Sequence, residues 1–289
     1  MNETKSVKAL KKQLAAAIAM VLVAAVALAS STFAWFVSNN SVKATTTSIS
    51  AQSNSAYLVI QNDAKRTVNG VADVIGTNID STSAATAADT SVIELYPAQV
   101  VNGSTTGSYK FESAYASAAN DEMEKYNTRF TIGANGTAEE AVTAKYAHKD
   151  TFYIGTGTYD GEFSNLKVTD VSISATDSSK AALVNATRVL IVCGDQWCVW
   201  QNGSEVTSVT GITGTAESVT TQSNTLTPKY TDGTNKAIAA SVSKGNDVTV
   251  DVYVFYDGAA DTVYSDNLAN LKDCGVTITF EATPTEHKA

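Results

Sequence analysis

The chain has 289 residues, a formal net charge of −9, 44% hydrophobic residues and three cysteines. That apolar fraction supports a packed core and excludes wholesale disorder. The acidic balance argues against a phosphate backbone as partner, and three cysteines in a chain this long exclude a disulfide framework.

The N-terminus is the most informative stretch. Lys5, Lys8, Lys11 and Lys12 precede an unbroken apolar run from Leu14 to Ala29, followed by Ser30, Ser31, Thr32 and the aromatic group Phe33-Ala34-Trp35-Phe36. A basic segment, an apolar segment and small residues, in that order, read as a secretory signal. Two small-x-small cleavage sites are present, Thr32-Phe33-Ala34 and, as the alternative, Ala27-Leu28-Ala29. Because no charge falls between Lys12 and Lys43, residues 14–36 are also long enough to remain in a bilayer as an uncleaved anchor. Removing residues 1–34, which carry four Lys and one Glu, takes the net charge from −9 to −12. The domain reading is therefore 1–34 signal or anchor helix, 35–50 N-terminal strand and linker, and 51–285 β-domain.

Past the aromatic group, Val42 to Ser50 is rich in threonine and suits a strand. Ala56 to Gln61 is a second strand, residues 62–91 read as loop, and Val92 to Val101 reads as a strand interrupted by Pro97. Ser113 to Tyr126 and Ala138 to Lys149 are helix candidates, the latter with Glu139 and Glu140 in its first turn, where the helix dipole favours acid.

From Thr151 onward strands dominate. Phe152-Tyr153-Ile154 is one. Leu166 to Ala175 alternates with Leu166, Val168, Asp170, Ser172 and Ser174 on one face and Lys167, Thr169, Val171, Ile173 and Ala175 on the other. Val189 to Cys193 is a continuous apolar run, expected in a central strand buried on both faces. Val248 to Tyr256 carries Val248, Val250, Val252, Val254 and Tyr256 on one face, Asn267 to Lys272 suits a helical turn, and Val276 to Ala282 closes the chain as a strand. Asn-Gly and Asp-Gly pairs punctuate the sequence, among them Asn69-Gly70, Asn135-Gly136, Asn202-Gly203 and Asp257-Gly258. Many short strands with turn signals predict an all-β fold, an antiparallel β-sandwich of jelly-roll type with short helical insertions.

The search for chemistry finds no catalytic constellation. HExxH and G-x-S-x-G are absent, and only two histidines occur, His148 and His287. Ser241-Val242-Ser243-Lys244 matches S-x-x-K but precedes Gly245-Asn246 at a strand end, where Ser and Lys do not meet one helical turn apart. Asp257, Asp261 and Asp266 crowd after a strand without an EF-hand pattern, which leaves two readings, a Ca²⁺ site or an acidic solvated loop. A four-residue loop, Gly194 to Trp197, places Cys193 opposite Cys198, Val192 opposite Val199 and Ile191 opposite Trp200. This register leaves two readings open: a Cys193–Cys198 disulfide, or two small buried apolar side chains. The expectation is that no residue is catalytic, cofactor-binding or metal-binding, with calcium at the Asp257 carboxylates left open.

The segment Ser31-Thr32-Phe33-Ala34-Trp35-Phe36-Val37-Ser38-Asn39-Asn40-Ser41-Val42, running into Ser48-Ile49-Ser50-Ala51, resembles the leader junction of the TasA/camelysin family of Gram-positive bacteria. The resemblance covers residues 14–51. It implies export by a SipW-type signal peptidase with cleavage after Ala34, a jelly-roll fold, and an extracellular fibre or biofilm subunit whose N-terminal segment completes the sheet of the next copy. The expectation is an exported structural protein, secreted or at the cell surface, whose partners are further copies of itself, the signal peptidase, and the membrane through residues 14–36. The expected assembly strand spans Trp35 to Ser50 and contains Trp35, Phe36, Val37, Val42 and Ile49. The alternative is a membrane-tethered adhesin that recognises glycan or host protein.

Overall fold

The computed structural model describes residues 44–53, 58–61, 67–68, 71–72, 83–85, 95–113, 130–156, 161–175, 181–215, 218–260, 263 and 274–285. The first strands are β1 (Ala44–Ser53), β2 (Val59–Gln61), β3 (Thr67–Val68), β4 (Val71–Ala72), β5 (Ser83–Ala85), β6 (Ala98–Asn102), β7 (Tyr109–Ser113) and β8 (Phe130–Thr131). Helix α1 (Ala138–Thr143) follows, then β9 (His148–Gly155), β10 (Glu162–Ala175) and helix α2 (Ala181–Ala186). The remainder is β11 (Thr187–Cys193), β12 (Gln196–Gln201), β13 (Ser204–Glu205), β14 (Ser208–Thr215), β15 (Ser218–Thr225), β16 (Ala237–Ser243), β17 (Val248–Tyr256) and β18 (Cys274–Pro284). The fold is all-β.

A five-stranded sheet has the order β16-β10-β18-β1-β5, and a six-stranded sheet the order β13-β12-β11-β17-β9-β2. Among the described strands every ladder is antiparallel except β1 with β18. The two sheets face each other across a core to which the five-stranded sheet contributes Phe163, Val171, Ile278 and Phe280, and the six-stranded sheet Phe152, Ile191, Val252 and Tyr256.

The six-stranded sheet is also covered on its other face. Leu190, Trp197, Val199, Tyr253 and Phe255 pack there with Val100 of β6, Phe111 of β7 and Ala138 and Ala141 of α1. Alternate residues of β17 therefore enter different cores: Val250, Val252, Val254 and Tyr256 the first, Tyr253 and Phe255 the second. A strand flanked by apolar layers needs both of its faces apolar, which is why VTVDVYVFY ends in an unbroken apolar run. β11 is likewise buried on both sides, as its continuous run predicts.

The expected faces of β10 are not observed. Phe163, Leu166, Val168, Val171 and Ile173 all enter the first core. Against β18 the register gains one residue between Ser164 and Lys167 and another between Val168 and Asp170. Each bulge reverses which face the following residues point to, so three phases of alternation converge on one core. Asn165 supplies the left-handed backbone of the first bulge, with φ 55°, a conformation asparagine tolerates better than most residues.

The helix expected over Ala138–Lys149 ends at Thr143. It begins with a capping box, Thr137 accepting from the Glu140 N–H and the Glu140 carboxylate accepting from the Thr137 N–H. It stops because Lys145 turns left-handed, φ 63°, and His148–Gly155 is taken up by the sheet. A two-residue hairpin forms at Asn202-Gly203, as the Asn-Gly signal predicts; Val68 pairs with Val71, and Asn69-Gly70 lies outside the described residues. The strand expected across Pro97 is described from Ala98 onward. The helix candidates at Ser113–Tyr126 and Asn267–Lys272 lie outside the described residues, apart from Ser113, which ends β7.

Candidate assembly interface

The strand that follows the leader-like segment lies within the sheet. β1 pairs in parallel with β18, aligning Thr47 with Val276, Ile49 with Ile278, Ala51 with Phe280 and Ser53 with Ala282. These β18 residues belong to the first core. On its other side, among the described residues, β1 pairs with Ser83–Ala85 of β5, opposite Ser48 to Ser50. The boundary expected at residue 51 thus falls inside a strand, and all described residues belong to one unit, Ser41–Ala289.

At the core-aligned positions β1 brings one large apolar residue, Ile49, whereas β18 brings Val276, Ile278 and Phe280. A buried side chain of that class is worth about 1.5–3 kcal/mol. β18 is therefore anchored by several such side chains, and β1 adds a continuous parallel ladder beside it. Of the other expected assembly residues, Trp35, Phe36, Val37 and Val42 lie outside the described residues, as do Ala27, Ala29, Thr32, Ala34 and all of residues 14–36. Among the described residues no helix is long and apolar enough to cross a membrane.

The cysteine register differs from the expected one. A two-residue turn, Gly194-Asp195, replaces the four-residue loop, and the strands slide by two positions: Cys193 faces Gln196 and Cys198 faces Ile191. Gly194 adopts φ 57°, which suits glycine at the first central position of a tight hairpin. The Gly-Asp pair was the missed signal. Cys193, Cys198 and Cys274 are buried thiols that form no disulfide with one another. Burial pushes the thiol of Cys198 up to about 12 and that of Cys193 up to about 11, so neither is a nucleophile at neutral pH. Folded protein at pH 8 is expected to leave all three thiols unreacted with an aromatic disulfide reagent, and unfolded, unreduced protein to titrate three. A count of one after unfolding would establish a disulfide.

Among the described residues, three clusters of polar side chains join different elements. Lys149 lies 2.6 Å from Glu139 of α1 and 3.1 Å from Asp251 of β17. Tyr253 donates to Glu139 at 2.9 Å, and Thr151 to Asp251 at 2.6 Å. Burial works against the Lys149 charge, but its hydrogen bonds to Glu139 and Asp251 outweigh this and raise its pKa, while Lys149 in turn lowers that of Glu139. The Glu139 side chain is 63% exposed, so this network steadies α1 against the sheet by little more than a surface pair does.

In the second cluster, Arg188 meets Asp257 at 3.1 Å, with both side chains under 15% exposed (13% and 14%). Gln99 of β6 donates to the same carboxylate at 2.8 Å and the Ala259 N–H at 2.9 Å. The cleft beside this pair, lined by Val100, Val206 and Phe255, has room for little more than a water molecule, far below the usual range of small-molecule sites. In the third, Glu205 accepts from Tyr230 and pairs with Lys236.

His148 lies 3.6 Å from Asp150 and His287 is outside the described residues. Among the described residues no three His, Cys, Asp or Glu gather as metal ligands, and the carboxylate of Asp257 is engaged by Arg188 and Gln99. No family model, curated protein or solved structure matches the chain.

Proposed function

We propose that the chain is an exported structural subunit in which β1 of one copy fills the position beside β18 of the next, building a fibre or matrix at or beyond the cell surface. The observation that carries this reading is the standing of β1. It directly follows the leader-like segment, lies between β18 and a three-residue strand, and brings one large apolar residue to the core-aligned positions. A strand that pairs through a main-chain ladder is suited to exchange, because the same ladder forms whichever copy supplies it. Exchange passed from copy to copy without closing gives a filament.

The strand order favours a jelly roll as the finer fold. Eight strands are divided between the two sheets as β16-β10-β18-β1 and β12-β11-β17-β9. In chain order they cross between the sheets as two interleaved Greek keys require. β5, β13 and β2 are additions at the sheet edges. β1 departs from the pattern by running parallel to β18. Export would follow from the leader, with cleavage after Ala34.

The test compares protein beginning at Trp35 with protein beginning at Asn54, after β1. The longer protein is expected to polymerise and the shorter to stay monomeric and to bind a synthetic peptide of residues 35–53. Equal polymerisation by both, or none by the longer protein at high concentration, would defeat the proposal.

A further inference from the structure

β14 and β15 form a ribbon of eight pairs, from Ser208↔Thr225 to Thr215↔Ser218, without a bulge. Among the described residues no third strand pairs with it. Its base is firmly held: Leu226 donates its N–H to Thr207 at 2.8 Å, and Leu226 and Val206 are buried in the second core. Asn102 clamps the same end, its amide donating to the Thr225 carbonyl and accepting from the Thr227 N–H, both at 2.9 Å.

Two features set the ribbon apart. Between Glu205 and Lys229 the one charged residue is Glu217, and the one proline is Pro228. The strands thus lack the lysines, prolines and bulges by which proteins protect sheet edges. A two-stranded ribbon is also marginal in water and gains from a third strand. On a chain with net charge −9, most surfaces repel a second copy, and an uncharged edge does not. Pairing across a two-fold axis sets residues near the axis against their own counterparts, so a charge there would meet its like; β14 and β15 carry none.

We propose that the ribbons of two copies pair edge to edge, antiparallel across a two-fold axis, and join the copies side by side in a four-stranded sheet. The biological use of this contact rests on the assembling-subunit reading above; the contact itself is closed and needs no exchange of β1. Where both operate, exchange builds along a fibre and the ribbon links fibres laterally.

The test keeps the two apart. Cysteines at Ser48 and Thr277 of one chain, register partners in β1 and β18, lock β1 at home and block exchange. The locked protein is expected to show a monomer–dimer equilibrium in sedimentation. Amides of residues 208–225 should gain at least about tenfold protection from hydrogen exchange at dimer-forming concentrations, in locked and unlocked protein alike. Adding Thr220→Lys and Gln222→Lys should weaken association at least about tenfold with an unchanged circular dichroism spectrum. A locked protein that stays monomeric, ribbon protection that does not change with concentration, or lysine variants that associate as before would each overturn the proposal.

Discussion

Replacing Trp197 with alanine is expected to destabilise the protein by about 3–5 kcal/mol, the cost of deleting a fully buried aromatic side chain. Trp197 is 1% exposed and lies in the second core. Its ring stands edge-on to Tyr109 at 5.2 Å, and its indole N–H donates to the Gly107 carbonyl at 2.9 Å. Its own N–H and carbonyl bond to Lys229 at 2.8 and 3.0 Å. Trp197→Ala thus opens a cavity where β12, the loop before β7 and the segment before β16 meet. Trp197→Phe retains much of the packing and strands the Gly107 carbonyl, for an expected loss of about 1–3 kcal/mol. Urea unfolding reads both through the midpoint, with the slope unchanged. Domain stabilities run at about 5–15 kcal/mol, so the alanine variant would be visibly fragile. A loss below about 1 kcal/mol would mean that the six-stranded sheet has no second apolar layer.

Asp257→Ala is the next largest. It leaves the guanidinium of Arg188 without its carboxylate, although Arg188 still donates to the Asn185 and Thr187 carbonyls at 2.6 and 3.0 Å. It also deprives Gln99 and the Ala259 N–H of their acceptor. Breaking a pair this buried costs about 3–5 kcal/mol. Because desolvation offsets the attraction within such pairs, removing both charges should cost less than removing one. The double variant Arg188→Met, Asp257→Ala is therefore expected to be more stable than Asp257→Ala alone. Additive losses in the double-mutant cycle would show that the two groups do not interact.

The legible and illegible parts of the fold divide by the range of the signal. β17 and β11 could be read because β-branched and aromatic residues recur with an unbroken period, and a run apolar on both faces marks a strand covered twice. The second layer was written in the same place, in Tyr253-Val254-Phe255-Tyr256 and in Trp197 and Val199, which leave no polar face. β10 could not be read from one alternation, because bulges after Ser164 and Val168 shift its phase twice. The cysteine register turned on a loop of two residues rather than four, a local choice with long consequences, since sliding by two positions moves Cys198 from Cys193 to Ile191. For the assembly interface, Ile49 and its threonine-rich surroundings announced a strand, but its parallel alignment with Ile278 depends on topology set by the whole intervening chain.

In the proposed polymer, the position beside β18 is filled by β1 of another copy. Ser48 and Thr277 are aligned across that ladder and Thr277 is exposed, and adjacent strands bring such pairs within reach of a disulfide. Two single variants, Ser48→Cys and Thr277→Cys, are mixed, assembled and oxidised; the three native thiols are buried. Cross-linked chains joining one variant to the other are the predicted result, seen in the polymer and absent from monomer. If no cross-link joins the two variants in the polymer, while a chain carrying both cysteines closes the bond within itself, β1 stays at home and the claim is contradicted.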